Sequence, residues 1–360
     1  CPPSGKEDLA AFRRQVTGTV LKDDPVVYDL AIAGGGVPGV CTALAAIRTG
    51  SKVVLIQDRP VLGGNNSSEI RVPMGGDIHV GPYPRLGNVV QEISPIWGRP
   101  GGRPGQDVLP AEFWEDARKA NVFCSCPANQ YRLALSTRVI GVERDKDDPR
   151  KIAAYLARNL LTGEETRFRA RLFVDATGDA VIARMMGAEV MYGRESRETF
   201  GESLAPAAGD REVMGMSVLW VSKPADKPTS FPDIDWGIEI NEDNVLYEGA
   251  GRLLSGDWEW ETGQHRDQAL DTEYIRDYGM MAIFANWSFL KNRSKRKEEW
   301  ARDTLHWISF LGGKRESYRV VGDHILTQND IEQCVEYPDG TACVTWNLDL
   351  HFPDPEHLKK

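Results

Sequence analysis

The sequence predicts an α/β fold, a parallel sheet with a dinucleotide-binding turn and an inserted α+β region, on three observations. A short apolar run, Val27-Tyr28-Asp29-Leu30-Ala31-Ile32-Ala33, has the composition of a strand buried on both faces. It runs straight into Gly34-Gly35-Gly36-Val37-Pro38-Gly39, which has the spacing G-x-G-x-x-G, and then into an alanine-rich helical stretch. Lys52-Val53-Val54-Leu55-Ile56 follows as a second buried strand, so strand, glycine turn, helix and strand stand in the order of a β-α-β unit.

The helix is expected over Val37 to Arg48, with Pro38 near its start, where a missing N–H costs nothing, and Gly50 closing its end. Each glycine of the turn has a physical reason. Gly34 permits the tight turn, Gly36 lets the backbone approach a pyrophosphate, and Gly39 allows the helix to pack closely on the strand. The uncompensated N–H groups and positive dipole end of the helix, around Val37 and Pro38, then face the phosphates. An acidic residue is expected about 20 positions on, to hold the ribose. Gln57 stands in that place and hydrogen-bonds without charge assistance, while Asp58 reaches it by a small shift of the turn; both stay open.

The second strand is followed by Arg59-Pro60-Val61-Leu62-Gly63-Gly64-Asn65-Asn66-Ser67-Ser68-Glu69-Ile70-Arg71. Paired glycines let this chain lie against a cofactor, and Arg59, Asn65 and Ser68 offer donors to a phosphate or a flavin ring. Further on, Leu172-Phe173-Val174-Asp175-Ala176-Thr177-Gly178-Asp179 reads as a strand ending in a small-residue turn. With these three motifs in order, the sequence resembles the FAD-dependent oxidoreductases of the glutathione reductase type, including flavoproteins similar to the flavin-carrying subunit of heterodisulfide reductase. Arg315-Glu316-Ser317-Tyr318-Arg319-Val320-Val321-Gly322-Asp323 adds to the likeness. The resemblance implies FAD as cofactor, a Rossmann-like domain of three-layer β/β/α type, and contact of Gly63, Gly64, Ala176, Thr177, Gly178 and Asp179 with the cofactor.

The expected organisation is an N-terminal extension over 1–25, a discontinuous FAD-binding domain over 26–190, an inserted substrate domain over 191–327, and a return toward the FAD domain over 328–360. Strands are expected over Leu133 to Glu143, Ile152 to Leu161 and Glu165 to Val174, with a hairpin turn at Gly163-Glu164. Pro73 to Pro110 is rich in glycine and proline and reads as a long irregular connection, functional or disordered, before a short helix from Ala111 to Asn121. Trp220, Trp236, Trp258, Trp260, Trp287, Trp300 and Trp307 are first of all core residues, with a cleft for a flat or sugar-like substrate as the alternative for some of them. No further glycine-containing strand and helix follow Trp346 to His351, so the expectation is a fragment or a shortened member with an open flavin side.

Composition narrows the function further. With 53 acidic against 43 basic residues the chain carries a formal charge of -10, which speaks against nucleic acid as a partner. The one dense basic run, Lys291 to Lys297, is followed by Glu298 and Glu299 and reads as a solvated helix face. No apolar run has the ~18 residues of a membrane-spanning helix. Cys1 at the start fits either a lipid-modified exported protein or a trimmed fragment, which leaves the compartment open between cytoplasmic and exported. The six cysteines contain no C-x-x-C pair, and no metal site is expected.

A flavin carries hydride or electron transfer itself, and the protein positions the substrate and tunes the ring. The candidates for proton transfer are His79 and His351, because imidazole titrates near neutral pH, with Arg71 and Arg315 as stabilisers of an anionic flavin or substrate. The expected function is FAD-dependent oxidation or reduction of a small molecule. Its rivals are a flavin-fold binding module without turnover and an electron carrier working with an iron–sulfur redox partner.

Overall fold

A computed structural model describes residues 9–72, 74, 84–85, 87–93, 116–247, 261–340, 348 and 350. Helix α1 (Leu9–Thr17) leads into β1 (Leu21–Ala33), α2 (Val37–Arg48) and β2 (Val53–Ile56). After α3 (Asn88–Ile93) and α4 (Asp116–Asn121) come β3 (Tyr131–Ala134), β4 (Thr137–Arg144), β5 (Ile152–Asn159), β6 (Glu165–Asp175) and α5 (Val181–Met186). Most of the Pro73 to Pro110 connection lies outside the described residues. The six strands form one sheet in the order β3-β2-β1-β6-β5-β4. β3, β2, β1 and β6 run parallel, whereas β5 and β4 run antiparallel to their neighbours.

Two features differ from the strands expected of the sequence, each for a physical reason. β1 starts at Leu21 rather than near Val27, pairing Leu21 with Glu165, and its register shifts between Asp23 and Val27. Pro25 lies in that shift, where its missing N–H removes no ladder bond. The expected single strand from Leu133 to Glu143 is two strands, broken at Ser136 with a left-handed φ of 47°. β3 and β4 hold opposite edges of the sheet yet are joined by only Leu135 and Ser136, so the sheet must curl until its edges meet.

That curl makes the three layers. Inside it Tyr28, Ala31, Ala33, Val54, Ile56 and Phe168 of the parallel strands pack with Val139, Tyr155 and Ala157 of the antiparallel ones. On the other face Ile32, Val53 and Leu55 pack with Val40, Ala43, Leu44 and Ile47 of α2, together with Leu62, Ile93 and Phe123. Strand residues alternate between the two clusters, as the period of two requires. The helix has the predicted bounds, and Gly50 closes it at a φ of 95°. The Gly163-Glu164 turn also stands, with Gly163 at a φ of 78° between the antiparallel β5 and β6.

The rest of the chain is built of β7 (Val190–Met191), α6 (Arg197–Phe200), β8 (Met216–Ser217), β9 (Trp220–Pro224), β10 (Glu261–Thr262), α7 (Thr272–Asn292), β11 (Asp303–Ile308), β12 (Arg319–Val320) and α8 (Gln328–Glu332). Three two-stranded sheets pair β8 with β10, β9 with β11 and β7 with β12, all antiparallel. Trp220, Trp287 and Trp300 are buried with Val218, Ile283 and Leu290 against α7. Trp236 is exposed, and Trp258 and Trp260 lie outside the described residues. The basic run is not a solvated helix face throughout. α7 ends at Asn292, and the Lys291 ammonium turns inward to donate to Thr229 Oγ1 and to the carbonyls of Trp300, Ala301 and Asp303 at 2.8–3.0 Å. Within the described residues no helix is long and apolar enough to cross a membrane.

Candidate functional site

The site gathers at the C-terminal ends of β1 and β6, where a ligand binds in open parallel sheets. Gly34 has a φ of 101°, and a Cβ there would stand 2.4 Å from the Ala176 carbonyl oxygen. A Cβ on Gly39 would stand 1.9 Å from the Gly34 carbonyl oxygen. These two glycines are therefore required by the protein's own packing. Gly36 differs: among the described residues a Cβ there would meet nothing nearer than Pro38 Cδ at 3.8 Å, so its outer face is open toward them. It caps α2 without a side-chain hydrogen bond. Open space, a glycine surface and the first N–H groups of a 12-residue helix converge there, so the pyrophosphate of a dinucleotide fits.

A second glycine pair crosses the first. Gly63 and Gly64 have φ values of 115° and 59°, Gly63 bridges Gly36 in parallel fashion, and its N–H donates to Gly35 O at 2.8 Å. The Gly63 backbone also lies against the fully buried Lys119, whose Cε would be 2.8 Å from a Cβ at that position. Gln57 is buried between the two loops, and its Oε1 accepts the Gly35 N–H at 2.7 Å. Asp58, by contrast, points to Arg138 at 3.0 Å, with over a third of its side chain exposed.

The polar side chains expected at the cofactor have partners within the protein. Arg59 donates through two nitrogens to Glu69 and lies over the Phe310 ring at 5.5 Å. Asn65 donates to Lys314 O at 2.8 Å, and the Ser68 backbone and hydroxyl both donate to Asp116. After β6, Asp175 organises the turn: its carboxylate accepts the Thr177 N–H and the N–H groups of Ile182 and Ala183, all at 3.0 Å, and so holds the start of α5. Ala176 donates to Ala33 O, Thr177 accepts from Val181, and Gly178 accepts from Ser317. Asp179 is paired with Lys314 and accepts from Ser317 at 2.8 Å. What these motifs turn outward is mainly backbone.

One segment, Gly313 to Arg319, joins this cradle to the remainder. Lys314 and Ser317 reach Asp179, Gly313 bridges Ser217, and Arg315 forms an ion pair with Glu261 in which both side chains are nearly buried. Arg315 is thereby committed to a protein carboxylate. Arg71 sits at a φ of 72°, rare for a non-glycine residue, with its guanidinium 4.1 Å from the centre of the Trp307 ring. His79 and His351 lie outside the described residues. Burial, with Glu92 nearby, pushes the Cys41 thiol up to about 11, which keeps it protonated at neutral pH.

The sequence does not single out Lys119, Asp175 or Lys314. Two of them are within its reach, since Asp175 stands inside the Leu172 to Asp179 motif and Lys314 adjoins Arg315. A buried lysine such as Lys119 leaves no local signal.

One family, described as FAD dependent oxidoreductase, matches residues 29–360. No curated protein matches the chain. Among solved structures, L-proline dehydrogenase from P. horikoshii is 20% identical over 49% of this chain and 26% of its own, with a TM-score of 0.25. A geranylgeranyl bacteriochlorophyll reductase-like protein from Thermoplasma acidophilum is 14% identical over 82% of this chain and 66% of its own, with a TM-score of 0.39. The glycerol-3-phosphate dehydrogenase of Bacillus halodurans, complexed with FAD, is 14% identical over 56% and 40%, with a TM-score of 0.35. The chain spans less than two thirds of the length of each of these three.

Proposed function

The chain belongs to the FAD dependent oxidoreductase family, and from that premise we propose that it transfers hydride or electrons between a small-molecule substrate and FAD held across its crossed glycine loops. The observation that carries this reading is the open face of Gly36 at the start of α2, with Gly63 and Gly64 laid against it. The flavin supplies the redox chemistry when bound. The chain's part is to hold and orient. The backbone N–H groups of Gly36, Val37 and Gly39 take the pyrophosphate, with Val37 and Pro38 opening the helix and Gly34 and Gly39 keeping the turn tight. The chain at Gln57 passes beside the adenosine ribose, while the Gln57 side chain braces the two loops, its Oε1 accepting from Gly35 N–H and its Nε2 donating to Val61 O at 3.4 Å.

The segment from Ala176 to Asp179 closes the opposite side, positioned by Asp175 and by Lys314 and Ser317. Residues 191–327 form the substrate-binding region in this reading, and the likeness to the glutathione reductase type, with the heterodisulfide reductase flavoproteins among its members, refines the family assignment. The test is the visible spectrum of purified protein mixed anaerobically with small alcohols, amines and carboxylates as donors. Bleaching of a bound flavin by one of them is the expected result. A flavin that only an added redox protein reduces would instead indicate electron carriage, and one that nothing reduces would indicate a binding module.

A further inference from the structure

Two adjacent side chains tie the turn after β6 to the entry of α7. Ser317 is buried, and its hydroxyl lies 2.8 Å from Asp179 Oδ1 and 3.2 Å from Gly178 O, within the turn that closes one side of the cradle. The next residue, Tyr318, reaches a different part of the chain and donates its hydroxyl proton to the Asp267 carboxylate. Asp267 in turn accepts the N–H groups of Ala269 and Leu270, both at 3.0 Å, and so shapes the turn that leads into the 21-residue α7.

The Tyr318 ring has two further contacts. The Arg184 guanidinium of α5 stands 3.7 Å from its centre, and the centre of the Tyr192 ring lies 4.8 Å away. Tyr192 belongs to the same knot, because its hydroxyl donates to Arg266 O at 2.7 Å and accepts the Gln268 N–H at 2.9 Å. Helix α5 begins at Val181, directly after the cradle turn, and its start is held by Asp175. The 176–179 turn is thus joined to residues 266–270 along two routes, one through Ser317 and one through α5, and both pass through Tyr318. Elements joined by such packed and hydrogen-bonded contacts open together as one cooperative unit.

We propose that Ser317 and Tyr318 are positioning residues that couple the two ends: FAD held at the 176–179 turn orders the 266–270 turn, and with it the start of α7 in the region assigned to the substrate. The inference rests on the cofactor reading and adds a regulation to that site, in which cofactor binding prepares the substrate region. A ligand that orders one end of a shared unit removes freedom that a second ligand no longer has to remove. Coupling of this kind is reciprocal, so a substrate that orders 266–270 tightens FAD by the same factor.

Hydrogen–deuterium exchange of the full chain, with and without saturating FAD, tests the coupling without any substrate. The N–H groups of Gln268, Ala269 and Leu270 are themselves engaged in the knot and serve as reporters. In the wild type FAD should slow exchange over 34–39 and 176–179, and also over 268–270 by about tenfold, within the usual range of coupling between sites. Tyr318→Phe removes only the hydroxyl bonded to Asp267 and keeps the ring against Arg184 and Tyr192, so the fold should stand. Ser317→Ala cuts the link at its other end. In both variants FAD should still slow exchange over 34–39, while its effect over 268–270 is lost. Slowing confined to the cofactor loops in the wild type, or undiminished over 268–270 in both variants, overturns the coupling alone. Flavin retained by the wild type with no slowing over 34–39 overturns the cofactor reading, and the coupling with it.

Discussion

Gly39→Ala should lose FAD binding and a large part of the fold's stability together. The added Cβ would stand 1.9 Å from the Gly34 carbonyl oxygen and 3.0 Å from its carbon, and both are backbone atoms that no side-chain rotation can move aside. Helix α2 would have to lift off β1, opening the cluster in which Val40, Ala43 and Leu44 meet Ile32 and Leu55. Overpacking costs typically 1–3 kcal/mol, and a clash with backbone belongs at about 3 kcal/mol or beyond. Chemical denaturation beside an FAD titration measures both effects. Wild-type stability in this variant would mean that the turn and helix pack differently from the arrangement described.

Arg315→Ala should destabilise the protein by about 3 kcal/mol, because it leaves the Glu261 carboxylate nearly buried without its cation. Glu261 also accepts the Gly215 N–H and stands on β10 beside Ser217, so its displacement loosens the β8–β10 pair. Replacing both partners, in Arg315→Met with Glu261→Met, should recover much of the loss, since an apolar pair needs no desolvated charge. The same double variant separates the two roles open to Arg315. If the arginine only joins the cradle to β10, the stabilised double variant keeps the flavin reduction rate of the wild type. A slow rate at restored stability would return Arg315 to the flavin, the role expected from its place in the sequence.

The parts of this fold that are legible in the sequence are those dictated by local chemistry. Helix α2 has its predicted bounds because Pro38 and Gly50 are start and stop signals in themselves. The parallel strands are apolar runs, and the glycine turn is a spacing. Less legible are features set by distant parts of the chain. The break at Ser136 exists because β3 and β4 belong to opposite sheet edges, and the hydrophobic pattern runs through it unchanged. Lys291 reads as part of a surface charge run, yet carbonyls from the turn after α7 and from β11 draw it inward.

The candidate site divides the same way. Its glycines are readable because steric need is local, and their reasons separate cleanly in space: Gly34 and Gly39 face the protein, whereas Gly36 faces out. The partners of the polar residues are not readable. Asn65 meets Lys314, Ser68 meets Asp116, and Asp179 meets Lys314, all across long sequence separations.

The central claim, that FAD lies across the open face of Gly36, is tested most directly by titrating FAD into the wild type and Gly36→Val while following thermal stability without cofactor. Among the described residues a Cβ at Gly36 would meet nothing nearer than Pro38 Cδ at 3.8 Å, so the fold should tolerate a side chain there, yet it would fill the space of the pyrophosphate. The predicted result is a melting temperature close to wild type with FAD binding abolished; wild-type FAD affinity in Gly36→Val would contradict it and place the cofactor away from this turn.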